Sequence, residues 1–312
     1  MRPSFTGPQR SNEHAQRRYF VGTHPVDVER LAPGLHIVAT PIGNLADITI
    51  RALAALAGAD LIACEDTRVT RKLLDRYGIS TPLAAYHDHN AAQARPALLR
   101  RLAEGGALAL VSDAGTPLIS DPGYKLVRAA QEAGHTVTAL PGPSSVLAAL
   151  TIAGLPTDEF LFAGFLLPKQ SARRTRIAEL ARVASTIVLF ETGPRIATTL
   201  ADLAAGMGLR EAAICRELTK LHEEVRRGDL ETLARKSTEE EIRGEFVIVI
   251  APPPAAEAPS AEDTEALLRQ ALSRVSLKDA VAEVAAATGV PRRELYQRAL
   301  ALTKEADHGA QG

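Results

Sequence analysis

The chain of 312 residues has few of the residues that build covalent, metal or aromatic sites. Its two cysteines, Cys64 and Cys215, lie far apart in the sequence, so they predict no cysteine metal cluster. A structural disulfide between them would be expected only in a secreted protein, and no sequence feature indicates secretion. Tryptophan is absent and aromatic residues make up 4%, whereas 46% of the residues are hydrophobic, so Ala, Leu, Val and Ile must build the core.

Neither sign of charge dominates, and long apolar runs are missing. Lysine and arginine number 36 and aspartate and glutamate 37, a net charge of −1 that excludes a uniformly basic nucleic-acid-binding surface. The longest apolar runs, such as Phe246–Ala251, are far too short to span a bilayer. The first thirty residues lack the apolar segment of a signal peptide. We therefore expect a cytoplasmic protein without membrane association.

The order of the apolar segments predicts an α/β fold. Short β-branched runs alternate with helical stretches, a pattern typical of a mostly parallel sheet covered on both faces. The predicted strands are 35–40, 59–64, 107–112, 135–140, 186–191, 211–216 and 245–251. The predicted division is a disordered tail at 1–33, an α/β domain at 34–153, a second at 154–252, a linker at 253–262, a helical extension at 263–305 and a tail at 306–312.

The helical extension has two interpretations. Two short helices joined by the turn at Thr288–Pro291 match the layout of a helix-turn-helix. Simple packing of helices explains the same pattern, and composition alone favours it.

Glycine, proline and small polar residues follow four predicted strands of the first half. The four segments are Ala39–Asn44, Cys64–Arg68, Ser112–Pro117 and Leu140–Ser145. Ligands of open α/β sheets bind outside the carboxyl ends of the strands, and glycine lets backbone N–H groups approach them closely. Turns attract the same residues, but four such loops that also carry Asp, Thr and Ser favour a binding crevice.

Several common chemistries have no motif in this sequence. There is no phosphate-binding G-x-x-x-x-G-K-[ST], no G-x-G-x-x-G after a strand and no G-x-S-x-G elbow. The pair His87 and His89 has no further ligands nearby, so we predict a hydrogen-bonded loop there and no metal site.

Basic residues concentrate in three clusters that match helical spacing or open a predicted element. They are Arg68, Arg71, Lys72 and Arg76; Lys169, Arg173, Arg174 and Arg176; and Arg292, Arg293, Arg298 and Lys304. Each cluster alone fits a solvated helix face. Contacts with phosphates would instead provide salt-dependent affinity without reading a base sequence.

Six motifs in fixed order identify a resemblance. They read ATPIGNLADIT, CEDTR, SDAGTPLISDPG, PGPSS, CRELTK and GEFVIVI. Together they resemble the ribosomal RNA small subunit methyltransferase I family, within the tetrapyrrole methylase superfamily, over about residues 34–304.

The resemblance implies an α/β fold of two tetrapyrrole methylase-type domains with a cofactor cleft between them, plus a small C-terminal helical extension. It implies S-adenosylmethionine as cofactor, a homodimer, and 2′-O-methylation of a cytidine in the decoding region of 16S rRNA in the small ribosomal subunit. The residues expected to bind the cofactor are Pro41, Gly43, Asn44, Asp113, Gly115, Thr116, Pro117, Pro141, Gly142 and Ser144. One departure stands at Glu191–Arg195, where the family tends to carry E-S-P-H-R and this chain reads ETGPR.

Three residues are candidates for accepting the hydroxyl proton. Glu65 and Asp66 follow a predicted strand, and Lys220 would serve if burial depressed its pKa, or would hold the 2′-oxygen by its charge. His87 is a further option. The residues expected to bind RNA are Arg68, Arg71, Lys72, Lys169, Arg173, Arg174 and Arg176.

Two other functions stay open. A tetrapyrrole C-methyltransferase would have the same fold and cofactor, although the basic clusters and the helical extension favour RNA. An inactive RNA-binding assembly factor would keep the fold without the activity, and the intact loops argue against it.

Overall fold

The computed structural model describes residues 17–237, 243–254 and 260–309. The chain separates into two compact units, Met1–Pro253 and Pro254–Gly312.

The larger unit begins with a hairpin of β1 (Arg18–Val21) and β2 (His24–Asp27). Tyr19 is 3% exposed and packs in the core beside the first sheet, so the prediction of disorder is wrong for residues 17–33. A strand of four residues with one buried aromatic ring is too short to show an alternating hydrophobic pattern. Its sequence therefore cannot be distinguished from that of a polar tail. Residues 1–16 of that predicted tail lie outside the described residues.

The first sheet is parallel, with the strand order β5-β4-β6-β3-β7. Its strands are β3 (Gly34–Val38), β4 (Leu61–Cys64), β5 (Leu83–Ala85), β6 (Ala107–Leu110) and β7 (Val137–Leu140). The helices of this half are α1 (Ile50–Gly58), α2 (Thr67–Arg76), α3 (Ala91–Ala103), α4 (Tyr124–Glu132) and α5 (Ser145–Ala153). Separate apolar clusters, one centred on Leu56 and one on Leu108, cover the two faces of the sheet, as the continuous apolar strands predicted.

The second sheet has the order β11-β10-β12-β9-β8. Its strands are β8 (Phe160–Phe165), β9 (Thr186–Thr192), β10 (Glu211–Arg216), β11 (Glu224–Asp229) and β12 (Glu245–Ile250). Its helices are α6 (Gln170–Leu180), α7 (Gly193–Met207) and α8 (Leu230–Ser237). Only the pair β8 and β9 is parallel, so the prediction of a mostly parallel sheet is wrong for this half. The loop between β10 and β11 is too short for a crossover helix, and it therefore joins antiparallel neighbours.

Helix α5 follows the last strand of the first sheet but packs on the second sheet. Val146, Leu150 and Ala153 share a buried cluster with residues of β9, β10 and β12. The Arg227 guanidinium of β11 donates hydrogen bonds to the carbonyls of Ala153 and Ile152, which closes the C-terminus of α5. In packing, the second half of the unit therefore starts before residue 154.

The smaller unit consists of α9 (Ala261–Leu272), α10 (Leu277–Thr288) and α11 (Arg292–Gly309). Leu268, Val284 and Leu295 lie in its own buried core. Gly289, in the left-handed conformation, ends α10 and makes the turn into α11. In the part of the chain that the structure describes, no helix combines the length and hydrophobicity needed to cross a membrane.

Candidate active site

The loops after the strands of the first sheet meet at one edge, because all five strands are parallel. Thr40 and Gly115 exchange backbone hydrogen bonds of 2.9 and 3.0 Å, which joins the loop after β3 to the loop after β6. The Thr116 hydroxyl donates to the Pro143 carbonyl at 3.1 Å and thereby adds the loop after β7. The predicted convergence of these three loops is confirmed.

A cavity of about 210 Å³ lies between these loops and the second sheet. Residues of the first half that line it include Ile42, Gly115, Thr116, Ser120, Asp121 and Ser144. The second half contributes Phe165, Phe190, Glu191, Cys215, Glu217, Lys220 and Val247, among others. Most of the described wall is neutral or acidic, and Lys220 is the one cation in it.

Four of the described non-glycine residues have a left-handed backbone, and two of them, Ser120 and Glu217, line this cavity. Leu118 and Ser120 lie in the loop after β6, and Glu217 and Thr219 lie in the loop after β10. Their φ values are 75°, 64°, 47° and 66°, a conformation that costs free energy for residues with a Cβ. Strain of this kind concentrates at functional sites, and here it occurs on both walls of one cavity.

The loop Ile42–Asn44 closes directly onto the loop after β10. The Thr219 hydroxyl accepts a hydrogen bond of 3.0 Å from the backbone N–H of Asn44. A Cβ on Gly43 would lie 2.5 Å from Lys220 Cγ and 3.0 Å from the Leu218 carbonyl oxygen, so only glycine fits. Glycine at this position therefore brings the two halves of the unit into contact beside the cavity.

Lys220 lies in this cavity as a charged group. Its Nζ is 3.0 Å from Glu217 Oε1 and 2.7 Å from Glu245 Oε2. Partial burial lowers the pKa of the Lys220 ammonium, and the two carboxylates raise it by more, so the pKa lies above its ordinary value. The condition under which Lys220 would accept a proton, a net depressed pKa, is therefore not met, because two acidic partners face the ammonium. The alternative, that its charge holds the 2′-oxygen, stays a prediction.

Asp121 is a cavity residue that the sequence analysis did not select. Burial raises the pKa of its carboxyl to about 6, the Ser112 hydroxyl opposes the shift, and the charge of Asp113 adds to it. Burial, together with Asp113 and Asp121, also raises the pKa of Glu65. Asp121 stands inside the SDAGTPLISDPG motif, but neither spacing nor composition distinguishes it from a turn residue.

Some of the other predicted site residues line one of two cavities, whereas the described linings leave out Gly43, Asn44, Pro117, Pro141 and Gly142. Gly115, Thr116, Ser144 and Lys220 line the main one, whereas the described lining leaves out Glu65 and Asp66. A second cavity of about 180 Å³ lies at the same sheet edge, lined by Thr40, Pro41, Leu45, Val69, Thr70, Lys72, Leu73, Ser112 and Asp113. Asp113 also accepts a hydrogen bond of 2.9 Å from the backbone N–H of Asp66. Gly142 packs against Ala39, with 3.0 Å between an added Cβ and the Ala39 Cβ.

Both cysteines are free, and the hydrogen bonding predicted for the histidine loop involves the backbone of His87 but not its Nδ1 atom. Cys64 and Cys215 are buried thiols without a disulfide. No group of three or more His, Cys, Asp and Glu residues that could hold a metal ion occurs among residues 17–237, 243–254 and 260–309. The backbone N–H of His87 donates to the Asn90 side chain at 2.9 Å, but the Nδ1 atom of His87 is buried without a hydrogen-bond partner.

Four of the seven residues expected to bind RNA form ion pairs within the protein: Arg68 with Asp66, Arg173 and Arg174 with Asp202, and Arg176 with Glu179. The Arg173 side chain is 6% exposed and lies 2.6 Å from the Asp202 carboxylate, which is itself 4% exposed. Arg174 donates to the other oxygen of Asp202 at 2.8 Å, although most of its side chain is exposed. The expectation that Arg173 contacts RNA is therefore wrong, because the first turn of α6 directs this side chain into the core.

Replacement of Arg173 by alanine is expected to lower the free energy of unfolding by about 3 kcal/mol, because the buried Asp202 carboxylate would lose one of its two cationic partners. Arg176→Ala removes only an exposed pair with Glu179 and serves as the matched control, with an expected change of about 0–1 kcal/mol. Urea unfolding of both variants measures the difference. Equal changes in the free energy of unfolding would show that the buried pair of Arg173 and Asp202 stabilises the protein no more than the exposed pair of Arg176 and Glu179 does.

Comparison with known proteins connects this cavity to a family. Residues 34–234 match the family model described as Tetrapyrrole (Corrin/Porphyrin) Methylases, and residues 258–303 match the model described as RsmI C-terminal HTH domain. The ribosomal RNA small subunit methyltransferase I of Mesorhizobium japonicum is 47% identical over 294 residues, which cover 94% of this chain and 100% of that protein. The protein of the same name from Erythrobacter litoralis is 50% identical, with coverage of 89% and 99%. The chain belongs to the ribosomal RNA small subunit methyltransferase I family.

Members of the ribosomal RNA small subunit methyltransferase I family are methyltransferases, and this chain is one of them. The tetrapyrrole methylase fold is confirmed by a solved structure, the methyltransferase CobJ, with a TM-score of 0.54, 20% identity, and coverage of 71% of this chain and 95% of that one. The model matched by the smaller unit favours a helix-turn-helix over the simple packing that composition favoured.

Proposed function

We propose that this chain transfers a methyl group from S-adenosylmethionine to the 2′-hydroxyl of a cytidine ribose in the decoding region of 16S rRNA. The observation that carries the proposal is the main cavity, whose walls come from the ATPIGN, SDAGTP, PGPSS and CRELTK segments that mark the family. An rRNA substrate is available in the cytoplasm, where we expect the protein to act. A homodimer follows from the resemblance alone and is testable by light scattering.

The cavity fits S-adenosylmethionine in shape and charge. When bound, this cofactor supplies an electrophilic methyl group on a sulfonium. Gly115 approaches Ile42 so closely that an added Cβ would lie 3.2 Å from its Cγ2, so no side chain from this position fills the cavity. Thr116 and Ser144 offer hydroxyl groups, and the first turn of α5 offers N–H groups to a carboxylate. Cys215 and Val247 form a deep apolar wall suited to an adenine ring.

Lys220 does not repel a cationic ligand as a free ammonium would. Its charge is balanced by Glu217 and Glu245, and Asp121 and Glu191 add negative charge to the same cavity. Held by two carboxylates, Lys220 is suited to fix an oxygen of the substrate by hydrogen bonding and unsuited to take a proton from it.

Asp121 is the residue that we propose as proton acceptor. It lines the cavity. Its raised pKa makes Asp121 a stronger base than an ordinary aspartate and better suited to general-base catalysis near neutral pH. Glu65 and Asp66 remain proposals as second-line candidates, since neither is part of the described lining.

The decisive experiment is transfer of labelled methyl from S-adenosylmethionine to unmodified 30S subunits and to free 16S rRNA, followed by nuclease mapping. Alkali-resistant 2′-O-methylcytidine in the decoding region supports the proposal. Cofactor binding without transfer to either RNA would contradict it and favour a tetrapyrrole substrate. Absence of cofactor binding in calorimetry would favour an inactive assembly factor.

Helix α2 carries the cations that we propose for RNA binding. Arg68, Lys72 and Arg76 are exposed and lie four residues apart, which places them on one face of the helix. Lys72 also lines the second cavity at the edge of the first sheet. Arg68 pairs with Asp66 at 2.6 Å, so Lys72 and Arg76 are the better test of phosphate contacts.

The double variant Lys72→Glu, Arg76→Glu is expected to weaken RNA binding and to flatten its dependence on salt. Each lost phosphate contact lowers the slope of log K against log salt by about 0.7–0.9. Filter binding between about 50 and 200 mM salt measures that slope. Lys236→Glu, an exposed charge reversal on α8, serves as control, and equal slopes in both proteins would contradict the proposed contacts.

A further inference from the structure

Phe165 is exposed at the cavity in a chain that has few aromatic residues. The sequence holds seven phenylalanines and no tryptophan, and three of the seven, Phe165, Phe190 and Phe246, line this one cavity. Phe246 is buried, whereas the Phe165 residue is 49% exposed. A large apolar side chain that lines a cavity and is half in solvent is available to a ligand.

A β-bulge determines the direction of Phe165. In β8 the residues Phe162 and Phe165 align with Val188 and Phe190 of β9, and the register shifts between Phe162 and Gly164. Val188 and Phe190 are two residues apart and lie on the same face of the sheet, so Phe162 and Phe165 share that face. Without the extra residue, alternation would place Phe165 on the opposite face with Leu161.

The bulge depends on Gly164 and on the opposite wall of the cavity. Gly164 has a φ of +63°, which disfavours any other residue, and a Cβ there would lie 3.2 Å from the Ser120 hydroxyl oxygen. The end of β8 therefore lies against the strained loop that carries Ser120 and Asp121. Phe165 and Asp121 line the same cavity from these two neighbouring segments.

Other aromatic rings hold Phe165 in place. Phe190 contacts it edge to face, with ring centroids 5.5 Å apart and an interplanar angle of 63°. Phe162 packs on Phe190 in the same way at 4.8 Å. A ring held in this manner loses little conformational freedom when a planar ligand stacks on it.

Methylation of a ribose in RNA requires that the nucleotide leave its stack and enter the enzyme, and unstacked bases are received by aromatic side chains. We propose that Phe165 is the platform on which the base of the methylated nucleotide stacks, which makes it a positioning residue for the reaction. Such stacking depends on the proposed function, because it needs an RNA nucleotide in the cavity.

The position of Phe165 favours the RNA base over the cofactor adenine. Strand β8 is the edge strand of its sheet, so Phe165 lies toward the rim. The buried wall of Cys215, Phe246 and Val247 comes from the more central strands β10 and β12. A cofactor that binds first takes the buried wall, and a macromolecular substrate reaches only the rim.

The test compares Phe165→Leu, which keeps an apolar side chain without a π face, with Phe165→Tyr, which keeps the ring. With unmodified 30S subunits or 16S rRNA, kcat/KM is expected to fall about tenfold or more in the leucine variant and to stay within about twofold in the tyrosine variant. The dissociation constant for S-adenosylmethionine, measured by calorimetry, is expected to be unchanged in both. Phe160→Leu is the matched control, because Phe160 lies 43% exposed on the same strand but not in the described lining of the cavity.

Three outcomes would overturn the stacking role. An unchanged kcat/KM in Phe165→Leu would remove it while leaving the proposed function intact. Weaker binding of S-adenosylmethionine in parallel with lost activity would assign the ring to the cofactor adenine. Absence of methyl transfer by the unaltered protein would overturn the proposed function, and stacking of an RNA base with it.

Discussion

Replacement of Asp121 by asparagine is expected to lower the rate of methyl transfer about 10²- to 10⁴-fold, the usual contribution of a general base. Asparagine has nearly the same shape but cannot accept a proton from the ribose hydroxyl. Cofactor affinity is expected to change much less than turnover, because the substitution leaves the Thr116 and Ser144 side chains in place. Single-turnover rates together with calorimetry separate the two effects.

The dependence of the methyl-transfer rate on pH tests the same role of Asp121. The pKa of Asp121 is raised to about 6, so the carboxyl is increasingly protonated below that pH and cannot act as a base. The rate in the unaltered protein is therefore expected to fall as the pH decreases through about 6 and to level off above it. Burial also raises the pKa of the acidic neighbours Asp113 and Glu65. A Glu65→Gln variant that loses the pH step, while Asp121→Asn keeps it, would transfer the role to Glu65.

Replacement of Gly43 by alanine is expected to reduce methyl transfer about 100-fold, without unfolding the protein. The new Cβ would lie 2.5 Å from Lys220 Cγ and 2.8 Å from the Thr219 hydroxyl oxygen, so the two loops must separate. A displacement of about 1 Å at a reacting centre can cost about 10² in rate. Methyl transfer and the thermal unfolding temperature, measured on the same samples, report activity and stability separately.

Gly134→Ala is the control for this substitution. An added Cβ there meets nothing within 4 Å, although the φ of +77° makes alanine strained at this position. This variant therefore tests whether backbone strain alone, at a position outside the described lining of the cavity, affects activity. Full activity of Gly43→Ala would mean that the contact between the two loops has no role in catalysis.

The sequence predicted the central strands well because burial leaves a strong signal in them. All seven predicted strands are present, and six of them are mostly buried runs such as Ile62–Cys64 or Val247–Ile250. The seventh, β7, is an edge strand in which only Leu140 is buried. The strands that it missed lie at sheet edges. β11 is an edge strand with the sequence EVRRGD. Because one side of an edge strand is unpaired, it can carry polar residues, and in the sequence these resemble a loop.

The candidate site was predictable as a set of loops but not as a set of contacts. A parallel sheet requires that the loops after β3, β6 and β7 share an edge, so these loops could be selected from position alone. The choice of Gly115, Thr116 and Ser144 within them came from the family resemblance, and all three line the main cavity. The direction of Phe165 depends on a one-residue bulge, which has no periodicity of its own. The burial of Arg173 depends on Asp202, which is 29 residues away in the sequence. Both require tertiary structure.

The attachment of α5 to the second sheet decides what a ligand in the main cavity would connect. Val146, in the first turn of this helix, packs with the second sheet, whereas Gly115 and Thr116 lie in the loop after β6 of the first sheet. The Thr116 hydroxyl already donates to the Pro143 carbonyl, just before α5 begins. A ligand that contacts both Thr116 and Ser144 would therefore bridge the two halves of the larger unit at the point where the chain passes from one to the other.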